Sequence, residues 1–203
     1  VELQGPMEAE KHLVQSVLKG NRDAFRDLIS AYERLVAHIV FRMVRNEVDR
    51  EDICQEVFVK VYQNLSRFNF KSKLSTWIGR IAYNTTLNYL EKKRVPLYHD
   101  LGGSSRGEEK RKKSPDSDVA FMSDEVGPED QLLENEIHRN LHEQISRLPV
   151  LFRTVITLYH LEHMSYIDIA DIMNLPVGTV KSYLFRARKR LKEQLLEERS
   201  NAI

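Results

Sequence analysis

The sequence predicts an all-α chain of two small helical domains joined by a flexible linker, the second a helix-turn-helix domain. Three observations lead there. Apolar residues recur at spacings of three and four, most clearly in Phe25, Leu28, Ile29, Tyr32, Leu35, Val36, Ile39, Val40 and Met43. Between the two helical halves runs LGGSSRGEEKRKKSPDSD, too rich in Gly, Ser and charge to bury a core. Finally, from Ser165 to Leu195, two helical patterns meet at a proline-containing turn. The expected boundaries are a cloning or protease scar over 1–6, a first domain over 7–94, a linker over 95–127 and a second domain over 128–203.

Composition sets the limits. The 203 residues are 41% hydrophobic and 30% charged, enough for one or two compact domains. Net charge is only +1, so any basic surface must be local. Acidic residues gather at Glu47, Asp49, Glu51, Asp52 and Glu56, and basic ones over Lys71 to Arg94 and Lys181 to Lys192. Such segregation suits one surface for a protein and two for nucleic acid. A single cysteine, Cys54, excludes an internal disulfide. No apolar run is long enough to cross a membrane and no signal peptide is evident, so the expected location is cytoplasmic, without membrane insertion.

In chain order, Glu8 to Lys19 reads as a short helix with Leu13, Val14, Val17 and Leu18 inward, broken by Gly20 and Asn21. A long helix follows from Asp23 to Arg45, ended by Asn46. Asp49, with Asp52 three residues later, resembles an N-cap that launches a helix to about Leu65. Ile53, Val57, Val61 and Leu65 form its inner stripe, joined by Cys54 and Phe58. After the loop SRFNFKSK, a helix from Leu74 to Arg94 buries Leu74, Trp77, Ile78, Ile81, Ala82 and Thr85, leaving Arg80, Asn84 and Asn88 as a polar stripe.

The second half opens with a helix from Glu129 to Leu148, and VLFRTVITLYHL after Pro149 supplies its core. Ser165 and Asp168 resemble a capping box, with Met164 and Ile169 forming the staple. Ile167, Ile169, Ala170, Ile172 and Met173 would face inward until Asn174, Leu175 and Pro176 stop the helix. Pro176 suits the opening of the next one. There Val180, Leu184, Ala187, Leu191 and Leu195 share one side, and Lys181, Ser182, Phe185, Arg186 and Lys189 lie largely on the other.

An aromatic among cations, with no acidic residue between Thr179 and Lys192, is what a helix needs to neutralise phosphates and touch base edges. A solvated basic helix with one stray Phe is the alternative. Phe68 and Phe70 between cations suit stacking on unpaired bases; the alternative is that they anchor the loop on the core, and at least one of them is expected to do so. The polar face of Asp52, Gln55, Glu56 and Gln63 is compatible with a docking patch, a solvated surface or a divalent-metal site. His138 with His142, and His160 with His163, have helical spacings that serve zinc elsewhere but lack further ligands, and no cofactor or metal is expected.

DREDICQEVFVKVYQNLSRF, then KSKLSTWIGRIAYNTTLNYLEKKR, then the helix-turn-helix resemble, in that order, a bacterial sigma factor of the extracytoplasmic-function (ECF) group of the sigma-70 family. The resemblance spans about Val14 to Leu196. It implies a promoter-specificity subunit of RNA polymerase with no catalysis of its own, transcription initiation tied to stress or the cell envelope, and an anti-sigma partner. By position it implies that Asp52, Gln55 and Glu56 face the clamp helices of core polymerase. Phe68, Lys71, Ser72, Lys73 and Ser75 would belong to the loop, Phe68 to Ser75, that receives a flipped minus-ten base, with Thr76 also at the minus-ten DNA and Arg80, Asn84 and Asn88 along the single strand. Thr179, Lys181, Ser182, Phe185, Arg186 and Lys189 would read the duplex minus-thirty-five element. Asp168 departs from the glutamate common at that place, and the loop sequence NFKSK leaves the preferred bases undetermined.

Extended, the linker can span on the order of 100 Å. The resemblance implies that it threads polymerase, with Val119, Ala120, Phe121 and Met122 a candidate contact. Two other classes explain less. A free-standing helix-turn-helix regulator accounts only for the last third, and a metal-dependent nucleic-acid enzyme needs converging carboxylates or a nucleophile and base that the sequence lacks.

Overall fold

The computed structural model describes residues 6–100 and 141–201, with side chains over 8–93 and 141–197. All the regular structure there is helical. In order come α1 (Pro6–Leu18), α2 (Arg22–Met43), α3 (Glu47–Asn64), a 3-10 turn (Leu65–Arg67) and α4 (Leu74–Asp100). After the undescribed stretch come α5 (described over 141–146), α6 (Val150–His160), α7 (Tyr166–Met173) and α8 (Val177–Asn201). Residues 1–5 of the scar expected over 1–6, residues 101–127 of the linker expected over 95–127 with its Val119 to Met122 island, the helix expected from Glu129 up to 140, and His138 lie outside the described residues.

Local chemistry sets the helix starts. Gly20 takes φ +87, a conformation that costs glycine little, and turns the chain between α1 and α2. Asn21 then caps α2, its Oδ1 accepting from Asp23 N at 3.0 Å and Ala24 N at 3.2 Å. Asn46 does the same for α3, accepting from Val48 N at 3.3 Å. This corrects the expectation for Asp49, which lies inside the helix and binds Tyr89 and Lys93 of α4 instead. An asparagine caps as well as an aspartate, and the earlier of the two started the helix.

Leu28, Val36, Ile39 and Val40 of α2, Ile53, Val57 and Val61 of α3, and Leu74, Ile78 and Ala82 of α4 are buried together. Leu18 departs from the expectation: at the last turn of α1 it is exposed. In the second cluster, Val155, Ile156 and Leu158 of α6 pack with Ile169 and Ile172 of α7 and Val180, Leu184 and Ala187 of α8. Ile167, expected inside, is 72% exposed, and Leu195 is exposed as well; both fall off the edge of their buried stripes. Arg153 is buried within this half, its Nη1 donating to Ser146 O at 3.0 Å. Burial and the charges of Arg45, Arg42 and Arg50 pull its pKa down to about 10.

The two clusters share one core, because α4 packs on α7 and α2 on α6. Gly79 makes that closeness possible. A Cβ there would lie 2.9 Å from Ile172 Cδ1 across the contact. Around the apolar seam run polar links: His38 Nδ1 to Glu162 Oε1 at 2.5 Å, Arg34 Nε to Glu162 Oε1 at 3.5 Å, and Arg42 Nη2 to His142 Nδ1 at 2.7 Å.

Candidate nucleic-acid and partner interfaces

The last helix keeps Val180, Leu184 and Ala187 buried, so its opposite side must face water. Lys181, Ser182, Arg186 and Lys189 are exposed there, and Phe185 is 70% exposed. A phenyl ring so placed loses free energy to water unless a partner covers it. Thr179 is half-buried at the helix start. Ser182 Oγ donates to Gly178 O at 2.9 Å, which leaves its oxygen able to accept. Lys189 leans toward Glu193 at 3.9 Å in an exposed pair, so its charge stays available to phosphate.

Ahead of that helix, the capping box forms as expected. Ser165 Oγ accepts from Asp168 N at 3.1 Å, and Ser165 N donates to Asp168 Oδ2 at 3.3 Å. Asn174 adopts the left-handed conformation, φ 51, and terminates α7. Met164 and Ile169 are both buried at this start.

In the first half, Asp52, Gln55 and Glu56 are exposed on α3, Glu56 pairing with Lys60 at 2.6 Å. Beside them lies a feature the sequence reading missed: a groove of about 560 Å³ between α2 and α3, lined by Phe25, Ile29, Cys54, Phe58, Val59 and Tyr62 among others, with Gln55 on its wall. Val59 and Tyr62 are each 53% exposed, and Tyr62 meets Phe25 edge-on at 5.0 Å. The signal was present in Gln55, Val59 and Tyr62, a second stripe one helical turn apart and off the core side. Burial and the nearby Glu51 charge push the Cys54 thiol up to about 11, which keeps it inert in the groove wall at neutral pH.

In the loop after the 3-10 turn one aromatic anchors on the core, as expected, and it is Phe68, which the resemblance put at DNA. Phe68 is only 7% exposed, with its ring 4.7 Å from Phe70 and 5.3 Å from Trp77. It anchors the loop on the core rather than offering a face to a base. Phe70 is half-buried at φ 57, beside an Asx turn in which Asn69 Oδ1 accepts from Lys71 N at 3.2 Å. Lys71 and Lys73 are exposed, and Ser72 and Ser75 are half-buried.

Arg80, Asn84 and Asn88 are exposed along one side of α4, as the spacing requires. Thr76 is not: it is 1% exposed, and its Oγ1 donates to Asp168 Oδ1 at 2.9 Å. Lys73 Nζ reaches Asp168 Oδ2 at 3.1 Å and Arg80 Nη1 reaches Asp171 Oδ1 at 3.1 Å. Three residues expected at DNA therefore touch carboxylates of α7. Burial pushes the Asp168 carboxyl up, but hydrogen bonds from Ser165, Thr76 and Lys73, with the Lys73 charge, outweigh it and hold the carboxyl below its usual range.

Among the described residues, no three His, Cys, Asp or Glu side chains gather as metal ligands. His142 bonds Arg42, and His160 bonds Arg188. No described helix is long and apolar enough to cross a membrane.

Both halves match known families: residues 28–95 match sigma-70 region 2, and residues 138–191 match sigma-70 region 4. The chain is 36% identical to the ECF RNA polymerase sigma factor SigW of Bacillus subtilis, over 91% of this chain and 96% of that relative. It is 37% identical to the ECF RNA polymerase sigma-E factor of Haemophilus influenzae, over 92% and 95%. Its Escherichia coli counterpart is also 37% identical, over 90% and 92%. Two solved structures share the fold. CnrH, in complex with the cytosolic domain of CnrY, gives a TM-score of 0.61 at 22% identity, over 92% of this chain and 97% of that one. The sigma factor RpoE of Bartonella quintana, in complex with the anti-sigma factor NepR, gives 0.60 at 23% identity, over 84% and 96%. With an exposed basic helix in one half, a polar stripe in the other and both regions matched in order, the chain belongs to the ECF group of the sigma-70 family, the non-catalytic subunits that direct RNA polymerase to promoters.

Proposed function

We propose that the residues of this sigma factor divide the work as follows. On α8, Lys181, Ser182, Phe185 and Arg186 read the minus-thirty-five duplex, with Thr179 and Lys189 on the flanking backbone. On α4 and its preceding loop, Lys71, Ser72, Lys73, Ser75, Thr76, Arg80, Asn84 and Asn88 hold the opened minus-ten strand, and Phe68 acts indirectly by anchoring that loop. Asp52, Gln55 and Glu56, with the apolar groove beside them, dock on core polymerase. The boundaries of these units are 7–94 and 128–203, with 95–127 as the tether, although α4 runs on to Asp100 and takes up the tether's first six residues. The protein works in the cytoplasm, in a stress or envelope response, and an anti-sigma factor holds it inactive.

The observation that carries this reading is Phe185, 70% exposed between exposed Lys181, Ser182 and Arg186, on a helix whose other side buries Val180, Leu184 and Ala187. Arginine and lysine match guanine acceptors, serine matches several bases, and phenylalanine packs on a thymine methyl. Binding unpaired bases favours the open state, so capture on α4 shifts the closed-to-open equilibrium without ATP. Support for the anti-sigma partner is the fold shared with RpoE, a sigma factor solved with NepR.

Footprinting of the reconstituted holoenzyme tests the division. Arg186→Ala should lose upstream protection while still assembling with core. Asn84→Ala should keep that protection and lower permanganate reactivity of promoter thymines. Identical defects in both variants would refute it.

A further inference from the structure

Beside the recognition helix, three helices meet at a ladder of rings and cations. Tyr159 of α6 and Tyr166 of α7 stack with centroids 5.1 Å apart and planes at 17°. Lys181 Nζ lies 5.6 Å above the Tyr166 ring, and Arg188 Cζ lies 5.1 Å above Tyr159. Arg188 Nε also donates to His160 Nε2 at 3.1 Å. Lys181 and Arg188 are seven residues apart, two helical turns, so they stand over the two rings in step.

Among the described residues, neither cation has a carboxylate within ion-pairing distance. That choice of partner has a consequence. A carboxylate would hold a lysine still but cancel the charge a phosphate or base needs, whereas a ring face attracts the ammonium and leaves its charge intact. A side chain ordered before binding also loses less freedom when it binds.

We propose that Tyr166 is a positioning residue for upstream promoter recognition: its ring, braced by Tyr159, pre-orders the Lys181 ammonium at the edge of the recognition helix. Tyr166 acts through Lys181 and carries no base preference itself. The inference rests on the reading of α8 as the minus-thirty-five reader.

A double-mutant cycle in the reconstituted holoenzyme tests it, on a promoter fragment that the wild-type holoenzyme protects upstream. Tyr166→Leu keeps apolar bulk and removes the ring; it should weaken binding about two- to five-fold, the size of an exposed cation–ring contact. In a Lys181→Ala background the same change should have no further effect, and Tyr166→Phe should bind as the wild type does. An equal loss from Tyr166→Leu in both backgrounds would reduce Tyr166 to a packing residue and overturn the proposal. So would a Tyr166→Phe variant as weak as Tyr166→Leu, since the hydroxyl would then be the operative group. General loosening of the fold by Tyr166→Leu enters both arms of the cycle and cancels. Failure of the wild-type holoenzyme to protect any upstream element would instead strike the reading of α8 itself.

Discussion

Thr76 of α4 donates its hydroxyl to Asp168 of α7 at 2.9 Å, so the cap of the helix-turn-helix also holds a residue of the face proposed to bind the minus-ten strand. Thr76 is 1% exposed while this bond stands. A DNA strand can reach it only after α4 and α7 part, and the ion pairs Lys73 to Asp168 and Arg80 to Asp171 must break in the same step.

Gly79 offers a way to part them without touching a charge. Leucine at this position would drive into Ile172 and Ile39, and overpacking of that kind costs about 1–3 kcal/mol. G79L should therefore separate the two halves while each stays helical. Small-angle scattering should give a larger radius of gyration with unchanged far-ultraviolet circular dichroism; an unchanged radius would show that the seam tolerates the side chain.

Acid should loosen the same contact. The Asp168 carboxyl is held below its ordinary 3.8, and the Glu162 carboxyl below its ordinary 4.5. Burial raises Glu162, but the hydrogen bond and charge of His38, with the charges of Arg34 and His163, outweigh it. Groups whose folded pKa is depressed contribute stability that is complete above their ordinary values and fades as pH falls through the folded ones. Energy transfer between dyes on the two halves should drop as pH falls below the 4.5 to 3.8 window. D168N should remove part of that dependence; a pH profile identical to the wild type's would contradict the assignment.

The groove on α3 predicts a clean separation of stability from assembly. Val59 and Tyr62 are each 53% exposed, so Val59→Asp should change unfolding free energy by no more than about 0.5 kcal/mol. Its charge in an apolar contact should abolish co-elution with core polymerase. Retained co-elution would move the docking site elsewhere.

Phe185→Ala should likewise leave the thermal midpoint nearly unchanged, because the residue is 70% exposed in the free chain. On the promoter it should cost about 1–3 kcal/mol and relax the preference at one base pair. Equal weakening on all sequences would make Phe185 a nonspecific contact.

Helix register was legible because the 3.6 period survives in almost every element, and the capping box because Ser165 and Asp168 are three residues apart. Single residues at stripe edges were not: Leu18, Ile167 and Leu195 keep the period yet face water. Phe68 could read as a stacking ring because the pair Phe68 and Phe70 is flanked in sequence by Arg67 and Lys71, whereas its neighbours in space are Phe70 and Trp77. The α4–α7 seam was invisible for a related reason. Asp168 looks like an ordinary helix-start acid and Asp171 like a solvated one further along α7, and their partners Lys73, Thr76 and Arg80 lie more than ninety residues away. The groove was missed because Val59 and Tyr62, read against the core stripe of Ile53, Val57 and Val61, are merely off it.

Run-off transcription with purified bacterial core polymerase over a genomic promoter library tests the central claim most directly. The account predicts discrete transcripts from a shared pair of elements that core alone does not produce, lost in V59D and in Arg186→Ala. Transcript patterns indistinguishable from those of core alone, including the core of the native host, would contradict it.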